Sequence, residues 1–138
     1  MTGDATARIR HLNPSELDTP PGYSQVVDIR AERIVFVAGQ TALNQTGELI
    51  GKDDFAAQAA QVFGNLNIAL KSVGCTASNL VKLTVFLTDM DNLLLYREAR
   101  NRFFATTTPP AAPAVTLIEV SRLYDADFMI EIEAIAAA

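Results

Sequence analysis

Two stretches in the second half of the chain show the plainest alternation of apolar and polar positions. In PAVTLIEV, Pro113 to Val120, strict alternation puts Ala114, Thr116, Ile118 and Val120 on one face of a strand and Val115, Leu117 and Glu119 on the other. In FMIEIEAI, Phe128 to Ile135, the same rule separates Phe128, Ile130, Ile132 and Ala134 from Met129, Glu131, Glu133 and Ile135. Each strand has one clean apolar face and one mixed face. If the two strands pair, the clean faces are expected to cover a layer of helices. The mixed faces are then expected to gather Glu119, Glu131 and Glu133 beside Val115 and Leu117.

The rest of the chain reads in order from the same signals. Ala7 to His11 fits a short edge strand, followed by the irregular stretch PSELDTPPGYSQ, where Pro14, Pro20, Pro21 and Gly22 forbid regular structure. Val26 to Ile29 and Ile34 to Ala38 read as strands joined by a polar turn. The second of them is apolar on both faces, so both sides of its sheet need cover. A cap at Asp53 or Asp54 opens a helix to about Val73, with Phe55, Ala59, Val62, Phe63, Leu66, Leu70 and Val73 as its stripe and Gly74 as its stop. Val81 to Leu87 alternates as a strand. A second helix, Leu93 to Phe104, follows a cap at Asp91 or Asn92, and TTTPPAAP breaks the chain before PAVTLIEV.

Two helices are too few to cover both faces of such a sheet, so the order predicts a two-layer α+β domain over residues 1–138. The uncovered face, with Val115, Leu117, Met129 and Ile135 on it, would leave a large apolar patch on a monomer, which predicts an oligomer.

Composition narrows the function classes. The 138 residues, 49% hydrophobic and 20% charged, suit one compact domain rather than a disordered chain. The net charge of −5 provides no basic footprint for nucleic acid or anionic membrane and favours small-molecule or protein partners. A single cysteine, Cys75, excludes an intrachain disulfide, and no apolar run reaches membrane-spanning length; both fit a soluble cytoplasmic protein. One histidine and one cysteine exclude a thiol-rich or multi-histidine metal site, and no phosphate-cradling glycine motif is present. No metal or cofactor is expected. His11 reads as a surface or rim residue and Cys75 as a structural thiol.

Three groups remain for chemistry. Glu131 and Glu133 lie two apart on a strand, so their side chains share a face about 7 Å apart. In a partly buried cleft two such acids raise one another's pKa toward the range of a usable acid or base, although solvated or ion-paired carboxylates arise from the same spacing. Arg97, Arg100 and Arg102 on the second helix can pair with acids or anchor a substrate carboxylate, and each can equally be a surface arginine. Tyr23, in the proline-rich loop, is a pocket wall or a packed aromatic.

The segments GYSQVV, IVFVAGQT, AAQVFGNLNIALKSVGC, LVKLTVFLTDMDN and PAVTLIEVSRL…MIEIEAIA, in this order and spacing, resemble the Rid (YjgF, reactive intermediate deaminase) family, also labelled endoribonuclease L-PSP. The resemblance covers nearly the whole chain after about Pro20. It implies a chorismate-mutase-like α+β fold, with a mixed sheet of about six strands, two helices on one face, and a homotrimer with three clefts between subunits. It also implies cofactor-free hydrolysis of enamines and imines of the 2-iminobutanoate and 2-iminopropanoate type to a 2-keto acid and ammonia. Carried over residue by residue, the water-positioning glutamate is Glu131, the glycine closing the third strand is Gly39, and the loop tyrosine is Tyr23. The family's substrate-clamping arginine has no counterpart: Pro113-Ala114 is followed by Val115, and Leu117 falls where many members have cysteine.

Losing a bidentate charge-assisted contact removes on the order of 3 kcal/mol of substrate binding. Aligning Phe103-Phe104 with the family's helix puts Arg97 where the deaminases have a pocket asparagine, so Arg97 is the expected anion-binding group on the other wall of the cleft. Three readings follow. The chain is a divergent Rid hydrolase acting on a carboxylate-bearing metabolite, a module that binds a small ligand or partner enzyme without turnover, or a ribonuclease, against which the acidic charge argues.

Overall fold

The computed structural model describes residues 8–138. In chain order the elements are β1 (Arg8–Leu12), β2 (Val26–Arg30), β3 (Ile34–Gln40), α1 (Phe55–Ser72), β4 (Leu80–Leu87), α2 (Leu93–Phe104), β5 (Ala114–Glu119) and β6 (Ile130–Ala137). Short 3-10 turns at Ala77–Asn79 and Met90–Asn92 precede β4 and α2. The expected elements are all present, with ends shifted by a residue or two. Ala7, placed in β1 by the sequence pattern, lies outside the described residues. Among the described residues no helix is long and apolar enough to cross a membrane.

The six strands form two sheets rather than one. β1 and β2 make an antiparallel ribbon, and the other four are ordered β3-β6-β4-β5. The Glu32 and Arg33 amides, which a tight β2–β3 hairpin would use, instead donate to Ala138 O at 3.0 and 2.8 Å, so the turn after β2 fastens onto the end of β6. Within the larger sheet β6 is antiparallel to β3 and β4, whereas β4 and β5 are parallel and α2 is their crossover.

The core lies between this sheet and the helices. Phe55, Ala59, Val62, Phe63, Leu66 and Leu70 of α1 are buried, as the stripe predicts, against Leu83, Val85 and Leu87 of β4 and Ile130, Ile132 and Ala134 of β6. Asp54 caps α1 by accepting from Ala57 N at 3.1 Å. The helix ends at Gly74, whose φ of +74° needs no side chain, and Cys75 N then donates to Leu70 O at 2.9 Å. Cys75 itself is buried and His11 exposed. Asn92 occupies the cap position of α2 without a side-chain hydrogen bond, and Asp89 caps the 3-10 turn before it, its carboxylate accepting from Asp91 N at 2.9 Å.

Strand register overturns one expectation. β4 pairs Leu83 with Val115 and Val85 with Leu117, so these β5 residues face the helices. Thr116 and Ile118 pair with Thr84 and Phe86, which pair in turn with Glu133 and Glu131 on β6. The β5 faces are thus the reverse of those expected: Val115 and Leu117 do not stand beside Glu131 and Glu133. Both faces of PAVTLIEV are apolar enough that alternation does not choose between them, and the register with β4 does. Glu119 also leaves the acidic group, because its carboxylate accepts from Met90 N at 2.8 Å and holds the turn before α2.

The sheet face away from the helices is bare in a single chain. Phe36 on β3 is 76% exposed there, with Ile118 partly exposed on β5.

One buried polar residue ties the layers together. Gln58 on α1 is fully buried, donates from Nε2 to Gly51 O (3.2 Å) and Asp127 O (2.9 Å), and accepts from Met129 N at 2.9 Å. These bonds hold the loop before α1 and the approach to β6 to one side chain. Gln58→Leu keeps the volume but strands three backbone groups, so a loss of about 2 kcal/mol or more is expected in denaturant unfolding. Gln61→Leu, one turn along on a half-buried position, should cost clearly less.

Candidate functional site

The first half of the site is built on the helix side. Ser24 pins the proline-rich loop to the start of β5: its N donates to Pro113 O at 3.1 Å and its Oγ to Ala112 O at 2.6 Å. From the other direction Arg100 Nη2 donates to Pro21 O at 2.9 Å. Held at both ends, the loop presents half-buried Tyr23 next to β5. On α2, positions 93, 96, 97 and 100 share one face at i, i+3, i+4 and i+7 spacing. Leu93, Tyr96, Arg97 and Arg100 therefore meet Tyr23, Val115 and Leu117 around a cavity of about 250 Å³. Arg102 lies elsewhere, along a groove between α1 and α2.

The charge balance of this cavity is unusual. Arg100 is 4% exposed, and its hydrogen-bond acceptors are neutral: Pro21 O and Asn101 Oδ1, the latter at 3.2 Å from Nε and 3.1 Å from Nη2. Its guanidinium also lies over the rings of Tyr96 and Phe104, 5.7 and 6.0 Å from their centroids. Among the described residues neither Arg97 nor Arg100 forms an ion pair. Tyr96 is buried, stacked at 6.4 Å on Phe63, and its Oη has no hydrogen-bond partner among the described residues. Burial pushes the Tyr96 phenol up to about 12, an effect that nearby Arg100 partly offsets without a well-directed hydrogen bond.

The second half of the site is on the bare sheet face. Glu131 is half-buried on β6, and desolvation, followed by the charge of Glu133, holds its carboxyl above the usual carboxylate range. Its neighbour is Gly39, at the register shift between Val37 and Gln40 in the β3–β6 pairing. A Cβ on Gly39 would lie 2.8 Å from Glu131 Cδ, so only glycine leaves this carboxylate its place. Beyond it, a recess of about 510 Å³ runs over Phe36, Ala38, Lys82, Thr84, Glu133 and Ile135, where Lys82 Nζ donates to Thr116 Oγ1 at 2.6 Å.

The structure thus brings Tyr23, Arg97, Val115 and Leu117 together, and separately brings Gly39 to Glu131. Within one chain the sheet stands between the two groups. Sequence reasoning missed Tyr96, whose signal was its place in the 93-96-97-100 helical face. Arg100 was noted only as one of three arginines on α2.

Comparisons with known proteins agree with this architecture. The family model described as Endoribonuclease L-PSP matches residues 14–138. A RutC family protein of Synechocystis sp. is 36% identical over 127 residues, which is 91% of this chain and 93% of that protein. Among solved structures, the Rid-family protein YyfB of Yersinia pestis superposes with a TM-score of 0.83 at 31% identity, covering 94% of this chain and 98% of that one. E. coli TdcF with bound serine superposes with a TM-score of 0.70 at 31% identity, covering 88% and 91%. With two helices on one side of a strand layer, the matched model spanning nearly all described residues, and these relatives covered almost end to end, this chain belongs to the Rid (YjgF, endoribonuclease L-PSP) family.

Proposed function

We propose that the chain is a divergent Rid hydrolase that takes small imines and enamines bearing a carboxylate, in clefts formed between three copies of itself. The observation that carries this reading is the division of the site across the sheet. A ligand held by Arg97 cannot meet Glu131 of the same chain, but it can meet Glu131 of a neighbour whose bare face packs over the cavity mouth. The exposed apolar side chains Phe36 and Ile118 suit such a contact. The serine bound to E. coli TdcF is a small carboxylate-bearing molecule of the size this cavity admits.

The chemistry is hydrolysis of a C=N bond. An enamine first tautomerises to its imine. Water then attacks the imine carbon while Glu131 takes a proton from it, and the electron pair of the C=N bond moves to nitrogen. Glu131 returns that proton to nitrogen to give the neutral carbinolamine, whose hydroxyl proton is then relayed through Glu131 to the amino nitrogen as the C–N bond breaks, expelling ammonia and leaving the 2-keto acid. Desolvation of Glu131 serves this role, because a carboxylate with a raised pKa is a stronger base than one in water. Val115, standing where the family places its arginine, favours a second reading in which the same clefts bind a ligand or partner enzyme without turnover. Measuring turnover distinguishes the two.

With 2-aminoacrylate generated in situ, the protein is expected to accelerate keto-acid formation above the spontaneous rate. Glu131→Gln should lower the rate about 100-fold. Because the active form of Glu131 is the carboxylate and its pKa is raised, activity should climb with pH through a limb above the ordinary carboxylate range, and fall as pH drops and the group protonates. A rate indistinguishable from the uncatalysed one would leave only the binding reading. Arg97→Ala should weaken 2-oxobutanoate binding roughly tenfold; unchanged affinity removes Arg97 from the site. Sedimentation should show a trimer, and Phe36→Glu, which sets a charge on the bare face, should shift it toward monomer with loss of activity.

A further inference from the structure

The cavity on the helix side contains more unanswered polar groups than the hydrolytic reading uses. Arg100 is a buried cation whose acceptors are a backbone carbonyl and a side-chain amide oxygen, with no acceptor on Nη1 among the described residues. Tyr96 Oη is a buried hydroxyl with no partner among them at all. Burying an uncompensated charge and an unsatisfied donor both oppose folding, and a residue is retained in that state when something outside the chain completes it. Both groups belong to one helical face and border the same cavity as Val115 and Leu117. Among the described residues nothing acidic borders that cavity: the polar side chains around it are two tyrosines and two arginines.

We infer that α2 supplies the anion-binding floor of the cleft, with Arg100 and Tyr96 Oη jointly holding the carboxylate of a short-chain acid whose hydrocarbon part lies on Val115 and Leu117. The inference deepens the reading above and rests on the cavity being the ligand site. It also gives Val115 a role. A carboxylate gripped from α2 turns its far end toward β5, where an apolar residue receives a hydrocarbon group and an arginine would not. Arg97, half-buried, adds a second positive charge to the same cavity. A volume of about 250 Å³ restricts the ligand to a small acid, below the usual range of drug-sized pockets. The ligand class is therefore a short-chain carboxylic acid with an apolar side chain.

Tyr96→Phe is the decisive variant, because it removes one atom that has no well-directed hydrogen bond among the described residues. It should leave the melting temperature unchanged or raise it, while weakening the binding of 2-oxobutanoate, titrated into the full chain by calorimetry, by about tenfold. Arg100→Gln should weaken it more, and its melting curve shows whether the proline-rich loop still docks. The assignment is overturned if Tyr96→Phe binds 2-oxobutanoate as the wild type does, or if it lowers the melting temperature at unchanged affinity, since the hydroxyl is then structural. The two readings fail separately. Turnover that depends on Glu131 and is indifferent to Tyr96→Phe sinks the α2 site and keeps the hydrolase. Absent turnover with Tyr96-dependent binding of 2-oxobutanoate does the reverse.

Discussion

The pairing of β4 with β6 decides what every other part of this molecule can do. Leu83, Val85 and Leu87 alternate with Lys82, Thr84 and Phe86 on β4, and the antiparallel register sets Ala134, Ile132 and Ile130 beside the first group. Those six apolar side chains are the platform on which α1 and α2 rest. Because the strand period is two, the same pairing sends Glu131 and Glu133 to the opposite face. A one-residue slip would bury both carboxylates under α1 and expose the core, so the position of Glu131 is enforced by hydrophobic burial many times larger than any interaction the carboxylate makes. The parallel register of β5 follows from β4 in the same way and commits Val115 and Leu117 to the helix side.

Most of the architecture was legible because long, periodic segments leave little choice. The stripe on α1, the stop at Gly74 and the alternation of β4 and β6 each point to a single structure, and the cap is narrowed to Asp53 or Asp54, of which Asp54 serves. The face of β5 was not legible. In PAVTLIEV both sets of alternating residues are largely apolar, and which set turns inward depends on a partner strand about thirty residues earlier. The split of the strands into two sheets was hidden for a related reason. It turns on where the amides of Glu32 and Arg33 find acceptors, and the acceptor is the carbonyl of Ala138. Gln58 was invisible to a search for apolar stripes because a buried polar residue with satisfied bonds carries no hydrophobic signal.

The candidate site was legible one residue at a time and illegible as an assembly. Glu131 can be named from its spacing to Glu133 and Tyr23 from its loop, and the family resemblance adds Gly39 and singles out Arg97, yet no local pattern says which share a wall. The structure separates them by the thickness of a sheet. That separation has chemical sense if the site closes only between copies, since the proton-transferring group and the anion-binding group are then brought together by assembly. A free chain would hold its anion-binding groups and Glu131 on opposite sides of a sheet, so one bound molecule would not meet both.

An apolar residue at position 115 is best understood through the helix that faces it. A cavity this small, with no carboxylate around it among the described residues, gains little from a third guanidinium, because like charges within a few ångströms repel and each must be desolvated. With Arg97 and Arg100 both projecting from α2, an arginine at position 115 would add repulsion and take up the volume the ligand needs. On the proposed reading, the cations of α2 leave position 115 free to be apolar. The charge on α2 has a further cost: Arg100 must be held, and it is held by the same Pro21 carbonyl that positions the Tyr23 loop. If Arg100 holds an anion as proposed, anion binding and loop placement are coupled through one guanidinium, and a ligand that draws Arg100 toward its carboxylate pulls on the loop that carries Tyr23.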